Sequence, residues 1–252
     1  MSMNIRKLQT GISIIMLSLI STAAFAQFQG QITMKTYGEN NGVPEVNELN
    51  LYATSDRIIV QGQESVSMMD GLNASGLLIR NDEKDFIVLM GENKALQFTK
   101  EELEGFFQMA GMISRGESSD ADIDSNTNFR YTNREKKILG YDCSELLIES
   151  EDSDGSVSIW LTKGIDINWG MLTQPWNNAP ENMRNTLTRL TQEFKSQNFP
   201  LLIEVTDKGE KSTVFEVTNV NRSSIAKAMV EVPAGVNLIG LQELIFSMMM
   251  GN

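Results

Sequence analysis

The sequence predicts a mainly β fold with a few helices, of the α+β class. Three observations carry this: short runs of alternating apolar residues separated by Gly, Asn and Asp, a count of about ten such runs, and two or three segments with apolar side chains at helical spacing.

Residues 1–26 stand apart from that pattern. Arg6 and Lys7 precede the apolar run "GISIIMLSLI", and "STAAFA" ends in the small-x-small pattern Ala24-Phe25-Ala26. That is the form of a signal peptide cleaved after Ala26. The apolar run is shorter than the ~20 residues that span a bilayer, so no stable membrane anchor is expected after cleavage. No cysteine near the cut offers a lipid attachment point. The expected location is the periplasm, or outside the cell.

From Gln27 onward a single domain, 27–252, is expected. "FQGQITMKTY" alternates Phe28, Ile32 and Met34 against polar neighbours, and "GENNGVPE" reads as the turn after it. "VNELNLYAT" and "DRIIVQG" give the next two strands. "SGLLIRND" and "KDFIVLMGEN" form a hairpin around Asp82-Glu83, followed by "KALQFT". The run Phe86-Ile87-Val88-Leu89-Met90 is apolar at every position, as expected of a strand covered on both faces.

A first helix is predicted from Thr99, an N-cap with Glu101 and Glu102 behind it, through "LEGFFQMAGMI". Leu103, Phe106, Phe107, Ala110 and Ile113 share a face that either packs on the sheet or lids an apolar cavity, where flexible Met side chains tolerate varied ligands. The segment 114–127 is polar, acidic and aperiodic, and reads as an exposed connector. Within it Asp120, Asp122, Asp124, Asn126 and Asn128 recur like the opening of a calcium loop. The glycine position of such a loop falls on Ser125, however, and its bidentate glutamate position on Tyr131, so a solvated linker fits better than a metal site.

Strands resume in "FRYTNREKKILGYDCSELLIESED", which turns at Asp154-Gly155 and returns as "SVSIWLTKG" in a long hairpin. Leu139, Tyr141 and Cys143 share one face of the first arm, and the apolar parity switches from Leu146, as a β-bulge near Ser144-Glu145 would produce. "GIDINWGML" reads as a short turn or helix. A second helix follows, with Met183, Leu187, Leu190 and Phe194 as its stripe. "FPLLIEVTD" and "STVFEVTNVNRS" form a hairpin around Lys208-Gly209. A terminal helix carries Leu241, Leu244, Ile245 and Met248 on one face.

Composition excludes several functions. The chain has 21 Lys and Arg against 33 Asp and Glu, and without Arg6 and Lys7 the balance is 19 against 33, a net charge of −14. Such a surface repels nucleic acid and anionic headgroups. With no histidine and one cysteine, neither a Ser-His-Asp triad, a Cys-His pair, a CxxC pair nor a His-containing zinc site can be built. No phosphate-cradling glycine motif occurs, so neither a cofactor nor a metal is expected. Carboxylate-pair hydrolysis stays formally open, but abundant carboxylates are what any acidic surface shows. Cys143 lies with an apolar set and without a resolving partner, which predicts a buried, unreactive thiol.

The segments "FQGQITMK", "KILGYDCSE", "SIWLTKGI", "FPLLIEV" and "VEVPAGVNLI" occur in an order similar to that of the exported bacterial proteins of the domain of unknown function 4412 family. Those proteins resemble, more distantly, LolA-type lipoprotein carriers. The resemblance implies an open antiparallel β half-barrel with two or three helices across one face, and an apolar cavity between sheet and helices. It brings no catalytic residues. The acidic charge and the connector depart from the carrier pattern.

Two function classes follow. One is a non-enzymatic carrier holding a lipid, an acyl chain or a lipoprotein, with Phe106, Phe107, Met109, Met112, Trp160, Met183, Leu187, Leu190 and Phe194 as candidate lining. These same residues could instead close a dry core. The other is an envelope protein-interaction or structural module whose acidic face, or the tail "IFSMMM", meets a protein partner.

Overall fold

The computed structural model describes residues 27–40, 42–69, 72–91, 93–105, 127–150, 155–175 and 181–250. The leader-like segment and the acidic connector up to residue 126 lie outside them.

Twelve strands form one open sheet, two more than the count of about ten read from the sequence. In chain order they are β1 (Gly30–Asn40), β2 (Val43–Ala53), β3 (Arg57–Met69), β4 (Leu72–Arg80), β5 (Asp85–Met90), β6 (Lys94–Thr99), β7 (Thr127–Ile138), β8 (Tyr141–Ser150), β9 (Ser156–Thr162), β10 (Phe199–Asp207), β11 (Glu210–Arg222) and β12 (Asn237–Gly240). The helices are α1, entered at residue 100 and described to 105, then α2 (Glu181–Lys195) and α3 (Leu241–Met250).

The two extra strands have local causes. The first arm of the expected long hairpin is itself folded at Leu139-Gly140, where φ is +51° and +85°. A leucine at positive φ is uncommon and costs energy, so the turn leaves no ordinary sequence signal. Leu139 consequently sits exposed in the turn instead of sharing the strand face of Cys143. β12 is four residues long and runs parallel to β6.

The sheet order is β12-β6-β5-β4-β3-β2-β1-β11-β10-β9-β8-β7. Two antiparallel meanders, β1 to β6 and β7 to β11, are thus joined by the pairing of β1 with β11. Period-two alternation puts two sets of residues on opposite faces. The cross-strand row Ile32, Leu51, Val60, Leu77, Val88 and Leu96 faces the larger core. The neighbouring row through Ile59, Leu78 and Ile87 faces a second, smaller core. β5 is therefore buried on both sides, as its unbroken apolar run requires.

Different segments cover the two faces. Over the larger core lie Ile165, Ile167 and Met171, from the stretch after β9, and Leu241 of α3. That stretch is pinned to two distant turns. Asn168 Nδ2 donates to the Ser55 carbonyl at 2.7 Å, Asn81 Nδ2 donates to the Asn168 carbonyl at 2.9 Å, and the Met171 N–H donates to Asn81 Oδ1 at 3.2 Å. Over the smaller core lie residues 225–236, which include a 3-10 turn at Lys227–Val230, with Val230 1% exposed. Each such buried aliphatic side chain is worth roughly 1.5–3 kcal/mol.

Thr99 caps α1 as expected. The Glu102 N–H donates to Thr99 Oγ1 at 3.2 Å, and Glu102 Oε2 accepts from the Thr99 N–H at 2.8 Å, closing a reciprocal capping box. Lys208 and Gly209, at φ +48° and +83°, make the β10–β11 turn.

Candidate functional site

The expected ligand lining is only partly within view. Phe106, Phe107, Met109 and Met112 lie outside the described residues, as do the side chains of Met183 and Leu187. Phe194 is half-buried against Trp169, with ring centroids 4.6 Å apart, whereas Leu190 is 45% exposed. Trp160 is 5% exposed and belongs to the larger core.

The sheet face that carries Trp160 continues along its row through Leu202 of β10, Glu216 of β11 and Lys35 of β1. Towards the far ends of β7 to β11 it becomes a groove of about 510 Å³, lined by Arg130, Thr132, Arg134, Glu145, Leu147, Ser156, Ser158, Thr206 and Lys211. The register explains how these meet: Arg130, Leu147, Ser158, Glu204 and Thr213 form one cross-strand row, and Glu145 faces Trp160 in the next.

At its centre is Glu145, with no solvent exposure. A bulge places three residues of β7, 132–134, opposite this single residue of β8. The bulge thus lies on β7 and not at Ser144-Glu145, where the sequence suggested it. Its effect is to bring Arg134 and Thr132 over the carboxylate. Arg134 Nε and Thr132 Oγ1 both donate to Glu145 Oε2, at 2.5 and 2.6 Å, and Arg134 Nη2 closes on Oε1. The apolar parity switches along β8 because a carboxylate, neutralised from the next strand, occupies a core-facing position while Leu146 and Ile148 turn to the other face.

The indole of Trp160 is held from three sides. Its Nε1 donates to Glu204 at 2.8 Å, Lys136 Nζ sits 5.3 Å from the ring centroid, and the Arg134 guanidinium 5.7 Å. Burial pushes the pKa of Glu204 up, but the Lys211 ammonium at 2.8 Å and the Trp160 N–H outweigh it, and the carboxyl stays below its usual range. Cys143 pairs across the strand with Lys136 and is 2% exposed; burial pushes its thiol pKa up, away from a reactive thiolate.

A second hollow, of about 490 Å³, is lined by residues including Tyr131, Asp142, Ser144, Lys163 and Asn198. The Tyr131 hydroxyl donates to Glu193 of α2 at 2.5 Å and accepts from Asn198 Nδ2 at 2.8 Å. Both hollows are lined largely by polar groups. Among the described residues no three His, Cys, Asp or Glu gather to hold a metal. The groove offers matched cations, carboxylates and hydroxyls.

Sequence reasoning picked out Trp160 and Cys143 but missed the groove. Its one sequence signal is a glutamate at the head of an apolar run, "ELLI", with "TNREKK" on the neighbouring strand.

A family model described as Domain of unknown function (DUF4412) matches residues 28–236. No curated protein matches the chain. Among solved structures, it is similar to PNGF-II in a P21 crystal at 12% identity and a TM-score of 0.43, over 89% of this chain and 34% of that one. The chain therefore spans about a third of the length of PNGF-II. It is similar to MucB, solved in complex with MucA(peri), at 13% identity and a TM-score of 0.35, over 86% and 59%. A LolA superfamily protein from Nitrosomonas europaea matches at 13% identity and a TM-score of 0.30, over 82% and 91%.

Proposed function

The chain belongs to the DUF4412 family, and on this footing we propose that it is a non-enzymatic, exported envelope protein that binds another polypeptide in the charged groove of β7 to β11. Export rests on the leader-like residues 1–26 of the sequence.

One observation carries the reading. Among the described residues both faces of β5 and its neighbours are packed, and the groove over β7 to β11 is lined by ion pairs and hydroxyls. An acyl chain would gain little there, since burying those polar groups beneath it costs more than the apolar contact returns. A polypeptide supplies amides and charges that match them. Glu145 is tied up by Arg134, and burial raises the pKa of Cys143, so neither is poised as a nucleophile.

The test is site-specific photocrosslinking from Ser156, in the groove, on protein produced with its native leader. The expected result is an adduct with a discrete protein that is missing when the crosslinker sits at Lys208, in the distal turn. Release of lipid in near-equal amount from natively purified protein, with no protein adduct, would instead establish an apolar carrier.

A further inference from the structure

The charges around the groove are sorted by depth. Trp160 lies beside two carboxylates held below the surface. Glu145 faces it across the strand pair with no exposure, and Glu204 accepts its Nε1 hydrogen at 2.8 Å, with a side chain only 12% exposed. The cations that neutralise these carboxylates sit outermost: Arg134 on Glu145 and Lys211 on Glu204 are each about half exposed. Lys136, 5.3 Å from the Trp160 centroid, is exposed as well. Arg130, further along β7, is half exposed and pairs with Glu149 at 3.1 Å. Among the described residues that line the groove, Arg130, Arg134 and Lys211 are cationic, and the one carboxylate, Glu145, is out of reach of solvent. An incoming chain therefore meets cations and hydroxyls, laid over anions that it cannot touch.

This reverses the sign of the chain as a whole, in which 19 Lys and Arg stand against 33 Asp and Glu from residue 27 onward. The cations also keep capacity beyond their own pairs. Arg134 uses Nε and Nη2 on Glu145, and Arg130 uses Nε on Glu149. A guanidinium carries more N–H donors than that, and on an exposed side chain the others can serve a second carboxylate. Long polyanions and anionic membranes are repelled by the net charge. A short segment feels chiefly the groove, because at about 0.15 M salt charges beyond roughly 8 Å are screened.

We infer that the segment held by the groove is acidic: an extended stretch of the partner polypeptide whose Asp or Glu side chains meet Arg130, Arg134, Lys136 and Lys211. This rests on the polypeptide reading above and adds to it the sign of the partner's charge. Alternate residues of an extended chain fall roughly 6–7 Å apart on one side, the same spacing as successive same-face residues of the strands beneath. An acidic residue at every second position can thus address one cation after another, and the complementarity selects against neutral and cationic segments.

The test is calorimetric titration of the whole protein, at about 0.15 M salt, with three blocked ten-residue peptides in which serine alternates with aspartate, asparagine or lysine. The aspartate peptide should bind about tenfold more tightly than the other two and should suppress the adduct formed from Ser156. Arg130→Gln and Lys136→Gln, both on exposed side chains, should each weaken it about fivefold. Lys84→Gln, the same charge change in the exposed β4–β5 turn, should leave binding as it was. Equal binding of the asparagine peptide, or tighter binding of the lysine peptide, would overturn the inference while leaving the groove a polypeptide site. So would failure of every peptide alongside a Ser156 adduct that Arg130→Gln and Lys136→Gln do not diminish. Absence of any adduct would remove the groove reading and this inference with it, and binding of phosphatidylglycerol vesicles in place of the peptide would overturn it in favour of a lipid headgroup.

Discussion

Arg134 is more than half exposed, yet it holds a carboxylate, Glu145, whose side chain has no exposure at all. One partner is therefore replaceable by water and the other is not. Arg134→Ala should cost about 2 kcal/mol, because it strands a buried carboxylate with Thr132 as its one remaining donor. The double change Arg134→Met with Glu145→Leu should recover most of that loss, since a buried pair contributes little beyond its own desolvation. Urea denaturation of the single and double variants checks both outcomes, and equal losses in the two would contradict this account.

Asn81 and Gly170 are fitted to one another. A Cβ at Gly170 would meet the Asn81 side chain at 1.9 Å, and Gly170 sits at φ +45°. Asn81→Ala removes two of the side-chain hydrogen bonds that pin the 163–175 cover and should cost about 2 kcal/mol. Gly170→Ala should be destabilising as well, but less so in the Asn81→Ala background, where the clash is gone and only the backbone strain remains. Thermal melts of the cycle give the coupling directly.

Cys143 should resist thiol reagents in the native state. Its folded pKa lies above the usual value of 9.0, chiefly through burial. The protonated thiol is thus the form the fold favours, and its contribution to stability is present below the usual thiol pKa and lost as pH rises through the folded value. Labelling at pH 8 should proceed only at the rate of opening, and fast labelling would show an exposed thiol.

Acid should loosen the second face first. Glu231 anchors residues 225–236 through Arg57 at 2.5 Å, and although burial alone raises its pKa, Arg57 holds the carboxyl below its usual 4.5. A carboxylate with a depressed folded pKa stabilises above the unfolded value, and that contribution fades as pH falls through the folded one. Protection of the 225–236 amides, relative to their intrinsic exchange at each pH, should therefore fall below about pH 4.5. Glu231→Gln should show fast exchange there already at neutral pH and flatten the acid response.

The β1–β6 meander was legible in the sequence because β1 and β2 alternate apolar with polar residues at period two and β5 is apolar at nearly every position. Thr99 was legible as a cap, and Lys208-Gly209 as a turn, because local chemistry decides both. The Leu139-Gly140 turn was not, since it puts a leucine where that residue is rarely found, and β12 was not, since it is short and depends on β6 to exist. The groove escaped for a different reason. A glutamate within a strand reads as solvated unless the arginine opposite it is known, and that arginine is delivered by a bulge on a separate strand.

The pairing of Gly30 with Arg222 sets an order of events. Among the described strands β1 is synthesised before the others and can complete its ladder only when β11 has arrived. Until then each meander is a sheet with an unsatisfied margin, and both margins are long. Closure across the β1–β11 seam joins strands far apart in sequence, a kind of pairing that forms slowly and leaves open margins exposed to mispairing meanwhile.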